Sequence, residues 1–194
     1  GKKMVLTTFS SALISELDIV LLGLFYSGST LGVLAWARRI LEIIFQLVAA
    51  SLDILFPELA KAKNRDSISE LRIKLRKVFL LSFTVPILFI FFKGFASEIF
   101  TSLLGEEFSE VSTYTSWILF ALPVMVWSRI NIIFSRALNF EINITKSILF
   151  GSVASIGIYY FVHSFNNNPA VLSIILSQIV IGAITTYSFK KSYE

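Results

Sequence analysis

The stretch LGVLAWARRILEIIFQLVAASLDILFP, residues 31–57, decides the fold. As a helix rising about 1.5 Å per residue, it is long enough to cross a hydrocarbon core of roughly 30 Å. Four polar side chains recur along it at helical spacing and form one stripe: Arg38, Glu42, Gln46 and Asp53. Each ionised residue near the bilayer centre costs about 2.5–3.5 kcal/mol on insertion scales. The stripe must therefore face other helices or a water-filled cavity.

The composition is that of an integral membrane protein. Of the 194 residues 55% are hydrophobic and 15% are charged, whereas soluble domains carry about 25% charged residues. The mean hydropathy is +0.77. Having no cysteine and one histidine, His163, the chain lacks the residues for disulfides, thiolate sites and multi-histidine metal clusters. We expect neither a metal nor a cofactor.

Six apolar segments predict six transmembrane helices, at residues 5–25, 32–56, 78–93, 114–138, 147–163 and 170–189. Nothing alternates with a period of two, and lipid does not tolerate open backbone, so we predict an all-α, polytopic six-helix bundle. The third and fifth segments are short and are expected to extend into their flanks. Pro86 and Pro123 are expected to kink their helices. Small residues around Gly151 and Ser155 indicate a helix-packing face.

The basic residues lie on one side of the predicted topology. The outside loops hold only Lys93, whereas the segments on the side of the N-terminus hold Lys2, Lys3, Lys61, Lys63, Arg65, Arg72, Lys74, Arg76, Lys77, Arg136, Lys146, Lys190 and Lys191. By the positive-inside rule both termini are predicted to be cytoplasmic. The net charge of +4 thus reflects topology and not nucleic-acid binding. Since the chain begins with glycine and shows no signal peptide, we expect it to be a piece of a longer protein.

Charged residues of the first two spans fall at similar depths. Asp18 in the first span and the two arginines Arg38 and Arg39 in the second are each expected roughly 10–12 Å below the outer surface. Asp18 is therefore expected to pair with one of the arginines. Glu16 lies about one turn deeper, near the level of Glu42.

Two interpretations of these charges remain open. In one, an Asp18–arginine pair and an Arg39–Glu42 pair neutralise charges buried between helices. In the other, the arginines bind an anionic substrate while Glu16 or Glu42 titrates and couples transport to protons or sodium. The candidate substrate-binding residues are Arg38, Arg39, Gln46, Arg129 and Asn131, and the candidate ion-coupling residues are Glu16, Asp18 and Glu42. Arg129 is predicted to lie either in the cavity or at the membrane interface.

Four runs carry a family resemblance. Residues 16–23 (ELDIVLLG), 31–40 (LGVLAWARRI), 55–60 (LFPELA) and 103–108 (LLGEEF) resemble polysaccharide flippases of the multidrug/oligosaccharidyl-lipid/polysaccharide exporter superfamily, which carry lipid-linked oligosaccharides of the O-antigen type. The resemblance extends from about residue 10 to residue 140. It departs from the family at Leu34, where a tyrosine is common.

The resemblance implies a transporter of two six-helix halves, of which this chain looks like the C-terminal one. It would then work with a missing N-terminal half in the cytoplasmic membrane, carrying a lipid-pyrophosphate-linked oligosaccharide to the outer leaflet by alternating access. The family's basic cavity suits a pyrophosphate, and Arg38, Arg39 and Arg129 are the residues placed to contribute to it.

Other functions are also compatible with the sequence. A multidrug or small-molecule exporter of the same superfamily would favour acidic cavity residues, and a membrane subunit of a polysaccharide export assembly would move nothing itself. The sequence contains no Walker A loop, HExxH or GxSxG motif, so we expect no enzyme. A membrane glycosyl- or acyltransferase would need an acidic or histidine-bearing catalytic loop, which the sequence lacks.

Overall fold

The computed structural model describes residues 19–61, 65–137, 141–165 and 169–193. Within these ranges the chain is helical and contains no strand, which confirms the all-α prediction. The helices are α1 (described at 19–25), α2 (Gly28–Asp53), α3 (Phe56–Lys61), α4 (Arg65–Ser82), α5 (Thr84–Leu104), α6 (Val111–Ile118), α7 (Leu122–Ala137), α8 (Glu141–Phe165) and α9 (Pro169–Tyr193). Short 3-10 turns, Glu106–Phe108 and Leu119–Ala121, flank α6.

Five stretches of the described residues are long and apolar enough to cross a membrane: Gly28–Leu59, Ile73–Leu104, Glu106–Ala137, Thr145–Ser164 and Pro169–Ser188. The chain is thus a polytopic membrane protein. The span predicted at 78–93 is much longer than its apolar run, because α4 and α5 together continue it on both sides. Most of the first predicted span lies outside the described residues.

The span formed by α4 and α5 is interrupted at Phe83. Pro86, in the first turn of α5, has no N–H, so the Ser82 carbonyl loses its helical donor. Hydroxyl groups bond other carbonyls at the break: Ser82 Oγ donates to the Phe79 carbonyl at 2.6 Å, and Thr84 Oγ1 donates three residues back at 2.7 Å. The predicted kink at Pro86 is therefore present as a break between two helices.

A second interruption precedes Pro123, which lies in the first turn of α7. The 3-10 turn Leu119–Ala121 separates α6 from α7. Because Pro123 lies in the first turn after it, the missing proline N–H costs no hydrogen bond of a regular α-helix. Both proline positions picked out from the sequence thus mark helix breaks inside membrane spans.

Two connections differ from the prediction. The predicted spans 5–25 and 32–56 left residues 26–31 between them, but only Tyr26 and Ser27 are non-helical, and α2 begins at Gly28 with φ +62°. Arg38 consequently lies about ten residues, or roughly 15 Å, from the start of its helix, deeper than expected. Residues 94–113 were left between the third and fourth predicted spans, but α5, in the expected extension of the third span, continues to Leu104 and ends where Gly105 has φ +103°.

Helix α7 lies at the centre of the bundle and packs against α2, α4 and α9. Helix α8 packs mainly on α9. At this contact a Cβ added to Gly151 would lie 3.1 Å from Ile181 Cγ1, which confirms the packing role expected for Gly151. Ser155 is buried on the same helix and donates to the Gly151 carbonyl at 2.9 Å. Close approach of the two helices therefore depends on small residues.

Candidate functional site

The centre of the candidate site is Arg38, whose side chain is only 1% exposed. Leu34 and Leu41, one turn away on either side, are fully buried with it. A guanidinium in such surroundings requires compensation by charge or hydrogen bonding. Asp18, the expected partner, lies outside the described residues, as does Glu16. The structure therefore confirms that this part of the stripe faces the bundle interior.

A hydrogen-bonded network follows on α2. Arg39 Nη1 lies 2.8 Å from Glu42 Oε2, and Gln46 Nε2 donates to Glu42 Oε1 at 3.2 Å. Both carboxylate oxygens are thus engaged, and the predicted Arg39–Glu42 pair is confirmed. The Glu42 side chain is 11% exposed, whereas the Arg39 side chain is 56% exposed. We call Arg39, Glu42 and Gln46 the α2 network.

The polar stripe does not face one environment along its whole length. Arg38 and Glu42 are buried, but Gln46 and Asp53 are exposed together with Arg39. At about 100° per residue, the fifteen residues from Arg38 to Asp53 rotate the stripe by about 60°, which turns its lower part towards the exposed side of α2. The α2 network lies near residue 43, the middle of the span Gly28–Leu59. Polar atoms are therefore exposed on the outer face of α2 at mid-membrane depth.

Arg129 binds Asp53 across 76 residues of sequence, with Nη2 at 2.5 Å from Oδ2. The pair joins the last residue of α2 to the middle of α7 and is partly exposed, 47% at Asp53 and 21% at Arg129. Arg129 thus contacts the same helix as the α2 network.

Asn131 lies on a different side of α7, since two residues correspond to about 200° of helix. It is buried, and its Nδ2 donates to Thr186 Oγ1 on α9 at 2.9 Å. Trp127 Nε1 donates to the same hydroxyl at 2.9 Å. The structure therefore gathers Arg38, Arg39, Gln46 and Arg129 around α2 but places Asn131 at the α7–α9 contact. A substrate role for Asn131 stays a prediction.

A charge exchange tests the inter-helix pair. We expect Asp53→Arg and Arg129→Asp each to destabilise the bundle, because each places two like charges together, and the double exchange to recover most of the loss. The coupling free energy for this partly exposed pair should be about 1 kcal/mol, measured from thermal unfolding in detergent.

The pair of Lys74 and Glu58, 3.6 Å apart with both side chains more than half exposed, provides the control. Its exchange should show coupling below about 0.5 kcal/mol, because solvent screens exposed pairs. Additive effects at Asp53 and Arg129 would contradict a stabilising contact between them.

His163, the last residue of the predicted span 147–163, lies within α8, which extends to Phe165. Its ring stacks on Phe25 with centroids 3.8 Å apart, and Tyr26 meets it edge-on at 5.5 Å. Nδ1 lies 3.0 Å from the Tyr159 carbonyl oxygen. The histidine thus packs the end of the bundle. Among the described residues, no three His, Asp or Glu side chains come together as a metal site.

A groove of about 650 Å³ was not predicted. It runs between the α4–α5 break, α7 and α9, and its walls include Phe79, Phe83, Pro123, Trp127, Ala183 and Lys190. The sequence indicated this groove only indirectly. The proline at the helix break and the small residues of α9 leave room for it between the helices.

Comparison with known proteins relates this chain to a protein family. A family model described as polysaccharide biosynthesis protein matches residues 1–113, which include α2 to α5 and the α2 network. No curated protein and no solved structure matches the chain.

Proposed function

Because the chain belongs to the polysaccharide biosynthesis protein family and is a multi-pass membrane protein, we propose that it is part of a transporter that flips a lipid-pyrophosphate-linked oligosaccharide across the cytoplasmic membrane by alternating access. The observation that carries the proposal is the polar outer face of α2. Arg39, Gln46 and Asp53 are exposed there, on a span that is otherwise apolar.

Lipid is a poor environment for this face. An ionised side chain near the bilayer centre costs about 2.5–3.5 kcal/mol, and Arg39 with its Glu42 partner sits at that depth. A second helical bundle with a water-filled cavity between the two halves would remove the cost. The N-terminal six-helix half is the partner we propose for it.

The chemistry of the α2 network suits a pyrophosphate. A guanidinium presents five N–H donors in a planar fork that matches phosphate oxygens. Arg39 donates to Glu42 through Nη1, and an arriving pyrophosphate would compete with the carboxylate for the guanidinium. Glu42 would then lose its cationic partner. Substrate binding would be linked through this exchange of partners to the coupling ion, for which Glu42 is a candidate residue.

The interrupted spans supply points of bending. The break at Phe83 and the 3-10 turn Leu119–Ala121 both lie within membrane spans, and discontinuous helices of this kind are used by transporters that alternate access. Bending at these points would move the ends of two spans relative to α2.

The test uses a strain from which the gene is deleted. We expect it to accumulate lipid-linked oligosaccharide on the cytoplasmic leaflet and to lose surface polysaccharide, and the whole gene product to restore both. The sidedness of the intermediate is measured by its accessibility to an impermeant glycosidase in intact cells and in inverted vesicles.

The outcomes separate the alternatives. Changed drug susceptibility with a normal distribution of the intermediate would indicate a small-molecule exporter and overturn the proposal. Loss of surface polysaccharide while the intermediate still reaches the outer leaflet would indicate a non-transporting subunit and would also overturn it.

A further inference from the structure

The groove between α4, α7 and α9 lies in one half of the membrane. Its wall residues on α4, such as Phe79, come early in the span Ile73–Leu104, and its wall residues on α9, such as Ala183, come late in the antiparallel span Pro169–Ser188. Both positions correspond to the half of the bundle that ends at Lys190. The groove volume of about 650 Å³ is in the range of ligand pockets, about 300–1,000 Å³.

Two polar groups in the middle of the walls, on Thr186 and Trp127, are hydrogen-bonded within the protein. Thr186 Oγ1 accepts hydrogen bonds from Trp127 and Asn131 and itself lies 2.7 Å from the Gly182 carbonyl. The Trp127 ring packs against Phe79 with centroids 5.2 Å apart. The groove therefore presents mainly carbon, and its occupant needs no hydrogen bonds along its length.

Two helices, α4 and α9, each carry a basic side chain at the same end of the groove. On α4, Arg76 precedes the wall residue Phe79 by three positions, so that the two share a helix face. On α9, Lys190 follows Thr186 by four positions and reaches the groove itself. Arg76 and Lys190 are both exposed. Each wall thus passes from apolar side chains to a cation within about one turn.

We propose that this groove binds one acyl chain of an anionic phospholipid, with the lipid phosphate near Arg76 and Lys190. Hydrocarbon complements the carbon walls, and the phosphate complements the two cations. The face of α7 that carries Trp127 is about 200° from the face that carries Arg129 towards α2. A second bundle on the polar face of α2 therefore leaves the groove open to lipid. The inference does not depend on what the protein transports.

The three tryptophans of the chain make the proposal measurable. Trp36→Phe with Trp117→Phe leaves Trp127 in the groove wall, whereas Trp36→Phe with Trp127→Phe leaves Trp117, which is exposed on α6. The full chain is placed in nanodiscs that contain a minor fraction of phosphatidylglycerol or phosphatidylcholine with brominated acyl chains. Bromine quenches tryptophan fluorescence only at short range.

We expect Trp127 to be quenched at a mole fraction of brominated phosphatidylglycerol at least about fivefold lower than that of brominated phosphatidylcholine, the preference that one of the two cations would give by itself. Trp117 should show no preference. Lys190→Gln should reduce the preference at Trp127 while quenching persists.

Two variants separate the groove from the general lipid surface. Ala183→Phe fills the groove and should protect Trp127 from both lipids, whereas Val153→Phe, on the exposed side of α8, should change nothing. Equal quenching of Trp127 by the two lipids would overturn the proposal. Absence of quenching by either, which would mean that protein covers the groove, would overturn it as well.

Discussion

Arg39→Ala is expected to reduce surface polysaccharide to less than about a tenth of the wild-type amount at matched membrane levels. Hydrogen bonds to charged groups contribute about 1.5–3 kcal/mol, and 1.4 kcal/mol corresponds to a factor of ten. Because the Arg39 side chain is more than half exposed, its removal leaves the apolar packing intact, and the comparison at matched membrane levels allows for any loss of folded protein caused by leaving Glu42 without its cation. Arg39→Lys should retain part of the activity, since an ammonium keeps the charge but not the planar fork.

Arg38, the buried neighbour of Arg39, is less suitable for testing substrate binding by mutation. Arg38 is 1% exposed, so Arg38→Ala would disturb packing and charge compensation together and lower the amount of folded protein. Lys74→Ala, in the exposed pair with Glu58, is the matched control and should leave polysaccharide unchanged. Wild-type polysaccharide from Arg39→Ala would assign the α2 network a structural role only.

Gly182→Val is expected to destabilise the bundle by about 1–3 kcal/mol, the usual effect of overpacking. A Cβ at position 182 would lie 2.8 Å from Val124 Cγ1 and 3.2 Å from Ser128 Oγ, both on α7. Val124 is β-branched and cannot easily rotate away. The unfolding midpoint in detergent should therefore fall, and Val124→Ala in the same chain should restore part of it.

Gly157→Val is the matched control for this prediction. Gly157 lies within α8, is exposed, and would have nothing within 4 Å of an added Cβ. It therefore reports the helix propensity of valine without the packing term. Equal unfolding midpoints for the two variants would show that α7 and α9 do not approach as closely as the structure has them.

Local features of the fold were accessible from the sequence. The Arg39–Glu42 pair is three residues apart on one helix, so the helical period alone predicts it. The breaks near Pro86 and Pro123 follow from the missing N–H of proline. Apolar runs also located the spans, and the third continues beyond its apolar run to Leu104, as expected, because Lys93 and Glu98 interrupt the apolar pattern within a continuous helix.

Features that depend on the packing of distant helices were not accessible. Asp53 and Arg129 meet only because α2 ends beside the middle of α7, a relation that no spacing in the sequence encodes. The predicted depth of Arg38 was affected in the same way, since only Tyr26 and Ser27 connect α1 to α2, fewer residues than the predicted spans left between them. The stacking of His163 on Phe25 likewise requires α8 to end beside α1.

The pairing of α8 with α9 has a consequence for the way the chain enters the membrane during synthesis. Thr145–Ser164 has the lowest mean hydropathy of the five spans, and Ser152 and Ser155 are buried in it. Such a segment partitions into lipid poorly by itself, while its main packing surface is on the next helix to leave the ribosome. We therefore expect α8 and α9 to insert together as a helical hairpin. Truncation before α9 should leave α8 exposed to quality-control proteases.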